Sequence, residues 1–93
     1  MEFESLGIFE TNSVSASLIA LGAIHKENDV KIIGKQILGE GIVTFFVTGN
    51  LGALRNALKL GANAIISGNE FRGFHIIPLP HAKLFATFSL EKK

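Results

Sequence analysis

The sequence predicts an α+β sandwich in which strands and helices follow one another as βαββαβ. Two apolar runs meet at Gly39-Glu40-Gly41, which is typical of a β-hairpin with a glycine-rich tip. The segment from Leu51 to Ser67 repeats apolar residues at spacings of three and four, as an amphipathic helix does. A strand and a helix can be placed before the hairpin and a further strand after the second helix. The simplest fold for this order is a four-stranded antiparallel sheet with both helices on one face.

The first strand and the first helix occupy the N-terminal third of the chain. Residues 3–10 alternate in the way a short strand does. Thr11-Asn12-Ser13 then offers side-chain oxygens that can cap a helix beginning at Val14. Lys26 ends this helix and Asn28-Asp29 stops it. The residues that repeat at helical spacing are Val14, Leu18, Leu21 and His25, with Ile24 beside them.

The central hairpin joins strands at residues 30–38 and 42–48. The second of these has an unbroken apolar middle, which indicates burial on both faces. Glu40 at the tip has two interpretations from its residues alone. It is either a solvated turn residue, or a carboxylate presented at a crowded place such as a symmetry axis.

The remaining elements complete the fold. Gly68-Asn69 is expected to end the second helix, and residues 71–78 read as the fourth strand. The Pro78-Leu79-Pro80 sequence prevents regular continuation of that strand. Residues 81–93 could form a short C-terminal helix with Leu84, Phe85 and Phe88 on its apolar side. The whole is a ferredoxin-like sandwich, a fold that hosts many functions.

Composition bounds the function. The chain has 93 residues, enough for one domain, and is 47% hydrophobic but only 18% charged. A small domain with this much apolar sequence is expected to bury part of its surface against other subunits. The net charge of +1 gives no basis for nucleic-acid binding. No signal peptide and no membrane-length apolar segment are recognised, so a soluble cytoplasmic protein without a membrane partner is expected.

The residues give little support to catalysis or to a cofactor. Cysteine is absent, and the three histidines have no partners at metal-ligand spacing. The Gly39-Glu40-Gly41 segment lacks the Lys-Ser/Thr of a phosphate-binding loop. We therefore expect no enzyme activity, no catalytic residue, no metal site and no cofactor. Lys26, taken by itself, is most simply a solvated lysine near a helix C-terminus.

Three motifs together resemble a known family. They are the Gly-x-Gly hairpin at 39–41, the Gly-Asn-Leu-Gly-Ala helix start at 49–53 and the Ile-Pro-Leu-Pro-His ending at 77–81. At these separations the chain resembles the hexamer-forming shell proteins of bacterial microcompartments. The likeness runs in register from about residue 5 to residue 81, within a single domain of residues 1–93 whose tail is 82–93.

The resemblance implies six copies around an axis, forming a disc that tiles with other shell hexamers and pentamers around encapsulated enzymes. Gly39, Glu40 and Gly41 would then line a central pore that conducts small metabolites. Lys26, Leu79 and His81 would lie at contacts between hexamers. The family typically has arginine where this chain has Leu79, and serine where it has Glu40. Leucine cannot make the forked hydrogen bonds of arginine, so tiling by this chain alone is in question.

An alternative of another class remains open from the sequence. A small-ligand-binding regulatory protein with the same fold would assemble as a trimer or dimer and would need a cleft with convergent polar groups. The sequence offers no obvious set of such groups. The mass of the oligomer in solution separates the two alternatives.

Overall fold

The computed structural model describes residues 4–66 and 68–79, and within this part it contains a four-stranded antiparallel sheet and two helices. The strands are β1 (Glu4–Thr11), β2 (Val30–Ile37), β3 (Val43–Gly49) and β4 (Phe71–Leu79), and the helices are α1 (Val14–His25) and α2 (Leu51–Ala64). The strand order β2-β3-β1-β4 is the one expected for the ferredoxin-like sandwich. The predicted fold class is confirmed.

Each helix is preceded by a residue whose side chain caps its N-terminus. The N–H of Ala16 donates to Oγ of Ser13 at 2.9 Å, and the N–H of Ala53 donates to Oδ1 of Asn50 at 3.0 Å. These bonds satisfy amides that have no partner inside the first helical turn. The predicted starts of both helices are confirmed.

The core lies between the helices and one face of the sheet. Phe9 and Phe45 stack there with ring centroids 4.7 Å apart. α2 packs closely against α1 because Gly61 has no side chain. A Cβ at that position would lie 2.7 Å from Cδ1 of Ile24 in α1. β3 is buried along nearly its whole length, as its apolar middle predicts. A second, smaller buried group, Leu6 and Phe46, lies on the other face of the sheet.

The prediction that the second helix reaches Ser67 is wrong at its C-terminal end. α2 ends at Ala64, and Ile65 adopts an extended conformation with φ −81° and ψ 115°. This conformation keeps the Ile65 side chain in the core, where it is 7% exposed. Gly68 therefore does not end the helix but begins a short 3₁₀ turn, Gly68–Glu70.

The side of α1 that faces the core agrees only in part with the predicted stripe: Ile24 is buried and Leu21 packs against the core. Val14 and Leu18 are about half exposed, and the buried positions are Ala16, Ser17, Ala20 and Ile24. The observed strand boundaries differ from the predicted ones by no more than one residue. Phe3, His81 and the predicted C-terminal helix in residues 81–93 lie outside the described residues.

Candidate functional site

The loop between β2 and β3 is a single 3₁₀ turn, Gly39–Gly41, closed by a hydrogen bond. The N–H of Leu38 donates to the carbonyl oxygen of Ile42 at 2.7 Å. Glu40 has φ 67° and ψ 28°, and Gly41 has φ 80°. Left-handed backbone is unfavourable for a residue with a Cβ, whereas glycine adopts it freely. Two consecutive residues with positive φ thus make a tight tip, with a carboxylate on the first of them.

Glu40 presents its side chain to solvent. All three residues of the turn are exposed. In the part of the chain that the structure describes, the ion pair found is Arg72 with Glu10, at 4.0 Å on the surface, and Glu40 takes no part in it. A carboxylate on an exposed turn is available to another chain or to a passing solute.

Lys26 lies at the opposite end of the molecule from Glu40. The turn adjoins the start of α1, because a Cβ on Gly41 would come within 3.7 Å of the carbonyl oxygen of Asn12. α1 then runs away from the turn for 12 residues, about 18 Å at the usual helical rise. Lys26 is its C-cap residue and is exposed. One helix therefore joins the two ends.

The backbone of Leu79 lies at the same end of the sheet as Lys26. Leu79 pairs with Glu4 at the end of β4, next to the pairing of Ser5 with Pro78. Ser5 also pairs with Gly49, which pairs with Val30 at the start of β2. The candidate edge positions 26 and 79 are thus brought to one end, although β2 and β4 are opposite edges of the sheet. His81 lies outside the described residues.

The described residues contain no group of three or more His, Cys, Asp or Glu side chains able to hold a metal ion. His25 and His75 are both exposed and belong to different elements. No helix within residues 4–66 and 68–79 is long and apolar enough to cross a membrane.

Sequence reasoning missed a group of exposed apolar side chains near the turn. Ile37 and Leu38 precede it, Val14 begins α1, and Ile66 follows α2 with 95% of its surface exposed. One signal was present in the sequence: α1 contains no charged residue between Val14 and Ile24, which is unusual for a helix on the surface of a monomer.

Comparison with known proteins identifies the family. The model of the BMC domain matches residues 5–80, most of the chain. The chain belongs to the BMC domain family. The bacterial microcompartment shell protein PduA of Citrobacter freundii is 37% identical over 81 residues, which are 87% of this chain and 87% of that protein.

Two further BMC relatives match over nearly their whole length. The microcompartment shell protein EutM of Salmonella typhimurium is 34% identical over 97% of this chain and 94% of its own. The carboxysome shell protein CsoS1B of Hydrogenovibrio crunogenus is 32% identical over 96% of this chain and 93% of its own. The relatives are thus named as shell proteins of more than one kind of compartment.

A solved structure shares the BMC fold at low sequence identity. The crystal structure of a microcompartments protein from Desulfitobacterium hafniense superposes with a TM-score of 0.81 and 20% identity. The match covers 97% of this chain, which spans about half (49%) of the solved one. This likeness concerns the fold alone.

Proposed function

We propose that this BMC-domain chain is a structural shell protein, six copies of which form a ring around a pore lined by Gly39, Glu40 and Gly41. The observation that carries the proposal is the placement of Glu40 on an exposed turn at one end of the domain, with Lys26 at the other. A ring built with the tips inward puts the carboxylates at the centre and the lysines at the perimeter. The names of the relatives, all shell proteins, support the assignment of the ring to a microcompartment shell.

The pore selects by charge. Six Glu40 carboxylates around a narrow opening repel anions and admit cations or neutral polar molecules, as rings of acidic side chains do in cation channels. The backbone groups of Gly39 and Gly41 supply hydrogen-bonding partners beside them. No chemical step is involved. The protein confines enzymes while small metabolites pass through.

The perimeter of the ring makes the contacts to other shell components. Lys26, Leu79 and His81 are the proposed contact residues, and their partners are other shell hexamers and pentamers in the cytoplasmic compartment. Leu79 lacks the guanidinium of the arginine that is usual in the family. The ring is accordingly a component seated among other hexamers rather than one that tiles alone.

The experiment compares Glu40→Ser and Glu40→Lys with the unchanged chain in reconstituted shells. Entry of a small anion is expected to rise in the order Glu40, Glu40→Ser, Glu40→Lys, while entry of a neutral solute of equal size changes little. Equal anion entry in all three shells would remove Glu40 from the mechanism. Light scattering gives an independent check, because a ring has about six times the 10.0 kDa mass of one chain. A mass of two or three chains would favour the regulatory alternative.

A further inference from the structure

Three large apolar side chains lie near the turn on the face that carries the helices, and each is half or more exposed. They are Val14 (50%), Leu18 (56%) and Ile37 (64%), and we name them the axial patch. Monomeric soluble proteins expose single apolar residues routinely, but contiguous groups of this kind mark interaction sites. We therefore expect another protein surface to cover the axial patch.

The register of the sheet places the members of the axial patch together. Ile37 lies directly opposite Val43, which lies opposite Thr11 on its other side. Opposed residues project from the same face, so Ile37 is on the face that carries the helices. Val14 follows Thr11 by three residues, and Leu18 is one helical turn further along α1. The patch thus spans the β2 edge of the sheet and the start of α1.

Ile66 lies on the other flank of the same end of the domain. It is 95% exposed, whereas its neighbour Ile65 enters the core. The segment after it is held at the turn end of the sheet, since the Asn12 backbone N–H donates to the Glu70 carbonyl at 3.0 Å. The Asn12 side-chain amide donates to the carbonyl of Asn69, also at 3.0 Å. Ile66 thus belongs to the side formed by α2 and β4, the strand at the opposite edge from β2.

The geometry of a closed ring brings these two flanks into contact. In a cyclic assembly each subunit meets its neighbours through two different surfaces, one on each side. At a distance r from a six-fold axis a wedge is only about 1.2 r wide. Four strands about 4.8 Å apart need roughly 14 Å, so the sheet fills its wedge at about 12 Å from the axis. Both flanks next to the turn must therefore be covered.

We propose that Ile66 of one copy packs into the axial patch of the next copy around the ring. This inference rests on the proposed ring and adds which surfaces close it. The occupant is a second copy of this chain, because the patch adjoins the pore turn and its complement, a fully exposed isoleucine, lies on the opposite flank at the same end. The contact is apolar on both sides and buries side chains that the isolated subunit leaves in water.

The absence of cysteine from the chain allows a direct test. The double variant Ile37→Cys/Ile66→Cys is expected to form disulfides between neighbours on mild oxidation. Denaturing gels without reductant would then show a ladder of two to six linked chains that collapses on reduction. Each single variant is expected to give no species beyond dimers. The control pair Ile37→Cys/Leu60→Cys carries its second thiol on an α2 residue that is 39% exposed and is expected to give no ladder.

The outcomes separate this inference from the proposed function. A ring-sized mass with no ladder from Ile37→Cys/Ile66→Cys would overturn the contact and leave the ring standing. An unchanged chain with the mass of a single subunit would overturn the ring as well.

A charge substitution provides a second test that does not depend on disulfide geometry. Ile66→Glu alters a fully exposed side chain, so the fold should persist, but the ring is expected to dissociate at a concentration at least tenfold higher. Ile66→Leu should behave as the unchanged chain does, and so should Leu60→Glu. Rings of undiminished stability in both Ile66→Glu and Leu18→Glu would contradict the contact.

Discussion

The backbone N–H of Leu38 donates to the carbonyl oxygen of Ile42 at 2.7 Å, and this bond closes the turn that holds Glu40 at φ 67°. β2 and β3 pair directly behind it, so the two strand ends fix the path that the turn must take. A residue with a Cβ is disfavoured in this conformation by about 1–2 kcal/mol. The chain nevertheless has glutamate there, between two glycines. The carboxylate is retained at some expense in stability, which is common at functional positions.

The backbone at position 40 can be tested apart from its charge. Glu40→Asn is expected to preserve or slightly raise the midpoint of thermal unfolding, because asparagine tolerates positive φ better than most residues. Glu40→Val is expected to lower the free energy of unfolding by about 1 kcal/mol, a fall in Tm of roughly 4–8 °C for a domain of this size. Calorimetry at matched protein concentration measures both. Equal midpoints for the two variants would mean that the turn relaxes in solution.

Lys26 is expected to act between rings and not within them. Lys26→Asp should leave the mass of the ring unchanged, because the residue lies at the far end of α1 from the turn. Ordered sheets formed together with other shell proteins should be lost, as seen by electron microscopy. Lys59→Asp, an equal change of charge at an exposed position of α2, is the matched control. Normal sheets from Lys26→Asp would place the edge contact elsewhere.

Thr44 carries a hydroxyl that the structure leaves without a hydrogen-bond partner. The residue is 5% exposed, and its Oγ1 is buried. Removing an unpaired buried hydroxyl avoids a desolvation penalty, so Thr44→Val should raise the free energy of unfolding by about 1 kcal/mol. Thr44→Ser keeps the hydroxyl and removes a methyl group, and should lower the stability by a similar amount. Denaturant titration of both variants decides, and a loss of stability in Thr44→Val would show that the hydroxyl has a partner in solution.

Gly49 is required by a close approach of backbone. A Cβ there would lie 2.9 Å from the carbonyl oxygen of Asp29, which cannot move aside as a side-chain end could. Gly49→Ala should therefore reduce the free energy of unfolding by about 1–3 kcal/mol. Gly22→Ala is the matched comparison, since that glycine lies inside α1 with nothing within 4 Å of its added carbon. It should gain about 0.5–1 kcal/mol. Chemical denaturation measures the difference, and similar effects at the two sites would contradict this account.

The order and type of the elements could be predicted from the sequence because each has a strong local signal. The Gly-Glu-Gly turn, the cap residues Ser13 and Asn50 and the regular spacing in α2 all act over a few residues. The end of α2 could not be predicted in this way. Ile65 continues the helical spacing, but the core accommodates its side chain from an extended backbone. Tertiary packing overrides local propensity at that point.

The candidate site was predictable only in part. The position of Glu40 at a turn follows from its flanking glycines, but not its own left-handed backbone, because Gly39 was the more natural residue for positive φ. The exposed face of α1 could not be predicted from the sequence either. Val14 and Leu18 fit helical spacing, and only the three-dimensional arrangement shows that the small residues Ala16 and Ala20 face the core instead.

The 12 residues of α1 also have a geometric consequence for any larger assembly. Because this one helix connects the end with Glu40 to the end with Lys26, its length would set the radius of the proposed ring and hence the repeat distance of a lattice built from it. Inserting a single residue would displace Lys26 outward by about 1.5 Å and turn it by about 100°. Docking with neighbours of unaltered size would then fail, even if the hole at the centre kept its shape.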